Sequence, residues 1–260
     1  MNRIMRTGMI LLLAFFLPGV VLQDIQAASD VKVIPNLPPL DVLKAASHAW
    51  ENIQDYQGLI HQIEQQPNGV RELWATVTLI KQSKNPKDAP MFMVRFYDFP
   101  IPDDSTGTAI AGATPIVVYF SSDGKELVTF KPAENSLTVK PLEGSGPLPE
   151  FLYIAGFVDL NLDQLRERAI FDENVYEQTI QGEKTYRVRI LPNKKYRESG
   201  EPARYIWINQ ENHMPERFAI DGEASVVVEF LNEKINQGLN SGELVPEVPG
   251  NVDVYDLTDQ

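Results

Sequence analysis

Apolar residues recur along this chain at two spacings, which divide it into one helix followed by many strands. Val42, Ala45, Ala46, Ala49, Trp50 and Ile53 return at intervals of three and four, the spacing of a helix with a single apolar face. Pro38 and Pro39 lead through Leu40 to Asp41, which the pattern makes the N-cap, and the helix is predicted to end near residue 54. Beyond Tyr56 the spacing changes to short runs rich in β-branched and aromatic residues, separated by turn residues. Runs at 57–66 and 70–82 flank Pro67, Asn68 and Gly69 and read as a hairpin. Four more runs, at 91–97, 116–120, 126–131 and 136–140, continue an antiparallel meander. Two short helices are predicted at 149–157 and 161–168, after a Gly- and Pro-rich break. Runs at 175–181, 185–191, 204–209, 216–221 and 225–234 resume the sheet and bring the strands to 11.

These elements predict an α+β fold: one strongly curved antiparallel sheet of about 11 strands, with a few helices packed on one face. Alternation puts Phe92, Val94 and Phe96 on one face of their strand, and Val226, Val228 and Phe230 on one face of theirs. Met91, Met93, Arg95, Tyr97, Ser225, Val227 and Glu229 take the other side. The predicted helices are too small to cover so wide a sheet, so an apolar cavity is expected between them and it. The connections at 98–115 and 192–203 are long for hairpins, the kind of loop that carries function or moves.

Composition narrows the setting. A length of 260 residues suits a single large domain, expected here over 29–260. The net charge of -13 argues against a nucleic-acid partner, which needs a cationic face. With no cysteine there is no disulfide, thiolate metal site, thiol nucleophile or lipidated cysteine. Residues 1–28 read as a signal peptide: Arg3 and Arg6 give a positive start, 8–22 is uncharged and mostly apolar, and Ala27 precedes the expected cleavage site. The apolar run falls short of the roughly 20 residues that span a bilayer. Export to the periplasm, with the leader removed, is the expectation.

Catalytic motifs are missing: no nucleophile elbow, zinc helix, phosphate loop or dinucleotide fingerprint occurs. His48, His61 and His213 lack metal-site spacing and read as surface residues. Asp103, Asp104, Asp159, Asp163 and Asp172 read as loop charges and helix caps rather than acid and base pairs. The cluster Lys194-Lys195-Tyr196-Arg197 is basic in an acidic chain and suits an anionic head group or partner. No enzyme activity, metal or cofactor is predicted.

The order of motifs from Trp50 to Val254 resembles the LolA-like family of periplasmic lipoprotein carriers and its relatives LolB and the sensor RseB. The resemblance is carried by Asn52-Ile53-Gln54-Asp55-Tyr56, by Met93-Val94-Arg95-Phe96-Tyr97-Asp98-Phe99-Pro100, and by Ser122-Asp123-Gly124-Lys125. Pro149-Glu150-Phe151-Leu152, Tyr205-Ile206-Trp207-Ile208-Asn209 with Met214-Pro215, and Val248-Pro249-Gly250-Asn251-Val252-Asp253-Val254 complete it. It implies an open half-barrel lidded by helices, with acyl chains of a lipoprotein or other lipid held inside by Trp74, Phe92, Val94, Phe96, Phe120, Trp207 and Phe218. Leu43, Trp50, Phe151 and Ile154 would belong to the lid. Where the family has a basic-Arg-Pro step that ties down the lid, this chain has Lys81-Gln82-Ser83, and Gln82 is expected as the tether. The implied function is a monomeric carrier working between membrane-bound donor and acceptor proteins. The alternative is a sensor of the same fold that regulates a membrane partner.

Overall fold

The computed structural model describes residues 31–82, 90–98, 113–142, 167, 169–198, 200–221 and 225–258. Strand β1 (Lys32–Ile34) precedes helix α1 (Pro39–Glu51). A first meander follows through β2 (Asp55–Gln66), β3 (Gly69–Ile80), β4 (Met91–Tyr97), β5 (Val117–Ser121), β6 (Glu126–Lys131) and β7 (Ser136–Pro141). The second runs through β8 (Ala169–Phe171), β9 (Val175–Ile180), β10 (Glu183–Pro192), the short helix α2 (Lys194–Glu198), β11 (Arg204–Asn209), β12 (Pro215–Ile220) and β13 (Ser225–Ile235). β13 returns to pair with β2, which fuses the two meanders into one sheet. β14 (Asp253–Asp256) joins β7 in parallel at one edge, and β1 pairs with β9 at the other. These edges do not meet, so the 14 strands form an open half-barrel.

Every predicted run is a strand, and three have the predicted bounds. β1, β8 and β14 are additional; at three or four residues each they are too short to display an alternation. The β9–β10 turn is made by Gln181 and Gly182, at φ 52° and 88°, the paired positive angles that match the twist of a two-residue hairpin. Helix α1 starts at Pro39, ahead of the predicted cap Asp41, and no side chain caps it. Proline suits the first helical position because its φ is already helical and it has no N–H to leave unpaired. Asp41 lies in the first turn and pairs with Lys44 at 3.1 Å. The segment expected as a loop at 192–203 contains α2. The predicted signal peptide, the helices at 149–157 and 161–168 apart from Glu167, and with them Phe151 and Ile154, lie outside the described residues.

The sheet has two apolar faces where one was expected. The inner face, against α1, gathers residues such as Ile60, Val77, Leu79, Phe92, Val94, Val188, Ile206, Val228 and Phe230. On the outer face Met93, Val118, Phe120 and Phe130 pack with Leu244, which comes from a short 3-10 turn (Ser241–Leu244) after β13. Val248 and Val252 extend this cover. Met93 therefore occupies the phase opposite Phe92 and is buried all the same, because the chain's last segment crosses that side.

Candidate functional site

Helix α1 lies on the inner face because Val42, Leu43 and Ala46 project from one side of it into the core of the strands. Of the seven residues expected to share a lining, Phe92, Val94, Phe96 and Phe218 do share that inner core. Trp74, Phe120 and Trp207 belong to the outer face. Across neighbouring strands Trp74 stands opposite His61 and Tyr97, Phe120 opposite Met93 and Val128, and Trp207 opposite Arg187 and Arg217. A single residue of phase reverses a side chain, and these three are out of phase with the inner set. The Trp207 indole N–H donates to Gln178 Oε1 at 2.8 Å, which satisfies its polar atom on the outer side.

Lys81, rather than Gln82, fastens the end of the helix to the sheet. Its Nζ donates to the carbonyl oxygen of Trp50 and stands 4.6 Å from the centre of the Trp50 ring. Gln82 is exposed. The reason is again phase: Lys81 continues the inner set of Val77 and Leu79, and its backbone N–H extends the ladder by donating to Gln54 O at 2.8 Å. Burial lowers the Lys81 pKa from its ordinary range, an effect that Glu51 partly opposes. Trp50 meets Tyr56 edge-on, with ring centres 6.3 Å apart. Leu43 is fully buried and Trp50 half-buried, so both reach the core from the helix.

The inner face also holds a polar group that the sequence pattern did not disclose. Tyr56, fully buried, donates its hydroxyl to Glu233 Oε1 at 2.8 Å, and Asn209 Nδ2 donates to Glu216 Oε1 at 2.7 Å. Burial pushes the Glu233 carboxyl up to about 8; the Tyr56 hydrogen bond opposes this and the charge of Glu216 adds to it. Burial likewise raises Glu216, with Asn209 opposing and Glu183 adding. Glu233 is thus protonated at neutral pH, which spares the apolar face an uncompensated charge. Gly58 makes room for this arrangement, since a Cβ there would lie 2.8 Å from Cζ of the Tyr56 ring. Neither Glu216 nor Glu233 was legible. The β11–β12 register shifts at Glu216, Arg217 pairing with Trp207 and Pro215 with Ile208. A bulge at Asn232, whose φ is 52°, shifts the register between Leu231 and Lys234 and sends later residues to the opposite face.

On the outer face one cross-strand row joins Tyr176, Arg187, Trp207, Arg217, Glu229, His61, Trp74 and Tyr97, a residue from each of eight neighbouring strands. His61 was read as a surface residue, yet its side chain is only 14% exposed. It stacks on Trp74 with ring centres 4.0 Å apart and places its two nitrogens 3.4 Å from Glu229 and 3.2 Å from Glu72. Burial works to lower the His61 pKa, but the bonds to Glu229 and Glu72 outweigh it and raise the value. Burial would raise Glu229, and His61 and Arg217 together hold it below the ordinary range. Among the described residues no three His, Asp or Glu side chains gather to hold a metal ion.

No family model matches the chain, and no curated protein matches it. Solved structures do. LprF from Mycobacterium bovis is similar at 12% identity and a TM-score of 0.46, over 85% of this chain and 99% of that one. A LolA superfamily protein from Nitrosomonas europaea is similar at 11% identity and a TM-score of 0.37, over 81% of this chain and 98% of that one. The MucA/MucB complex of Pseudomonas aeruginosa gives 9% identity and a TM-score of 0.47, over 80% of this chain and 61% of that one.

Proposed function

We propose that this chain is an exported carrier that shelters the acyl chains of a lipoprotein or another lipid against the inner face of its sheet and delivers them towards an outer membrane. The observation that carries this reading is the continuous apolar inner face of an open sheet. Apolar residues continue across ten strands, from Val175 in β9 to Leu127 in β6. At about 4.8 Å per strand the face is roughly 45 Å across. A 14-carbon chain laid on such a face would contribute roughly 10 kcal/mol of transfer free energy before ordering costs. Binding of this kind needs no catalytic group, and α1 serves as part of a cover that must open to release its cargo.

Titration with an apolar fluorescent probe tests the proposal. Phe96→Asp should abolish probe binding, because a carboxylate on an apolar face costs several kcal/mol, whereas Arg95→Asp, on the outer face, should have a small effect. Circular dichroism of both variants separates lost binding from lost fold, and Phe96→Ala should give an intermediate loss if the aspartate variant is unfolded. Equal losses at positions 95 and 96, or no acyl species in lipid extracts of the purified protein, would overturn the reading.

A further inference from the structure

We propose that the basic segment formed by β10 and α2 docks this protein on the anionic head groups of a lipid bilayer. Residues 184–197 hold six cations, Lys184, Arg187, Arg189, Lys194, Lys195 and Arg197, and no acid, in a chain whose net charge is -13. Two of them stand on the outer face of β10. The Arg187 guanidinium lies 4.8 Å from the centre of the Tyr176 ring, and that of Arg189 lies 5.6 Å from the centre of the Tyr205 ring. Three more, Lys194, Lys195 and Arg197, are exposed on α2, which follows β10 directly.

The helix that carries them is held in place. Asn193 Oδ1 accepts from the backbone N–H of Lys195 at 3.1 Å and of Tyr196 at 3.4 Å, and Asn193 Nδ2 donates to Glu167 O at 2.6 Å. Arg197 Nη2 donates back to Pro192 O at 3.4 Å. Carboxylates take up little of the charge: Asp172 stands 4.0 Å from Arg189 Nη1, and among the described residues none pairs with Arg187, Lys194 or Lys195.

The layout favours a bilayer over an acidic peptide. The cations are spread along a strand and a helix instead of converging on a cleft, and Tyr176, Tyr196 and Tyr205 lie among them, rings of the kind that sit at head-group level. Charges farther off than about 8 Å are screened at physiological ionic strength, so the local sign governs contact while the acidic remainder turns the molecule to present this face.

The test is sedimentation of the full chain with vesicles of phosphatidylcholine and phosphatidylglycerol in equal parts, against vesicles of phosphatidylcholine alone. Binding should require phosphatidylglycerol and weaken with salt. Each cation near such a surface is worth roughly a fivefold change in partition, so replacing Lys194, Lys195 and Arg197 together with Gln should cost roughly 100-fold. Arg187→Gln combined with Arg189→Gln gives an independent second variant should the triple one lose its fold. Probe binding by the inner face stays unchanged in both, so this docking and the acyl-chain proposal fail separately. Absence of wild-type binding at low salt, or unchanged binding by the variants, would overturn the inference. Release of the protein from vesicles by polyglutamate at lower concentration than by salt of equal ionic strength would assign the face to an acidic protein instead.

Discussion

A carboxyl held neutral beneath an apolar face makes stability depend on pH in an unusual direction. Unfolded, a glutamate ionises near 4.5, whereas folded Glu233 keeps its proton to about 8. Between those values the native state binds the extra proton, so the stability this group contributes is fully present below 4.5 and falls as pH rises to about 8. Glu233→Gln retains an acceptor for the Tyr56 hydroxyl and cannot ionise. The variant should therefore match the wild type near pH 5 and be more stable near pH 8, by roughly 2 to 4 kcal/mol in urea denaturation. Parallel pH profiles for the two proteins would show that Glu233 is ionised in the native state.

At the scale of elements, α1 depends on what holds its last turn. Lys81 contributes a charge-assisted hydrogen bond to the Trp50 carbonyl and a cation over the Trp50 ring, from a position that burial has already made less favourable for charge. Lys81→Gln should loosen this end by about 1.4 kcal/mol, seen as roughly tenfold faster amide exchange over 47–51 with little change in the central strands. Gln82→Ala, at an exposed position, should leave exchange unaltered. A larger effect at 82 than at 81 would restore Gln82 as the tether. Anchoring of the last turn of α1 is thus a local property, set by one side chain just after β3 rather than by the helix sequence alone.

The molecule as a whole is a sheet with a separate core on each side, and only one of them is proposed to hold cargo. Leu244 is fully buried in the outer core with Met93, Val118, Phe120 and Phe130. Leu244→Ala should lower global stability by roughly 3 kcal/mol, the usual cost of removing a buried leucine side chain. Probe affinity in the folded variant should be unchanged, because no outer-core residue belongs to the inner face. Thermal unfolding and probe titration of the same preparation measure the two effects. A parallel fall in probe affinity would mean that the two faces are coupled through the strands.

The sequence by itself determined which of the longer segments are strands and where α1 lies, because periods of two and of three to four residues are local properties of the chain. It also determined Phe92, Val94 and Phe96 as one face, since a seven-residue strand is long enough to show its alternation. What it left open is which face of each strand turns inward relative to the others. That depends on cross-strand register, and register assigned Trp74, Phe120 and Trp207 to the outer side and gave Lys81 the place expected for Gln82. The bulge at Asn232 decided that Glu233 would face Tyr56, 177 residues away along the chain, and the return of the C-terminal segment decided that Met93 would be buried. Pairings between distant residues carry no local period, so only the assembled sheet could choose them.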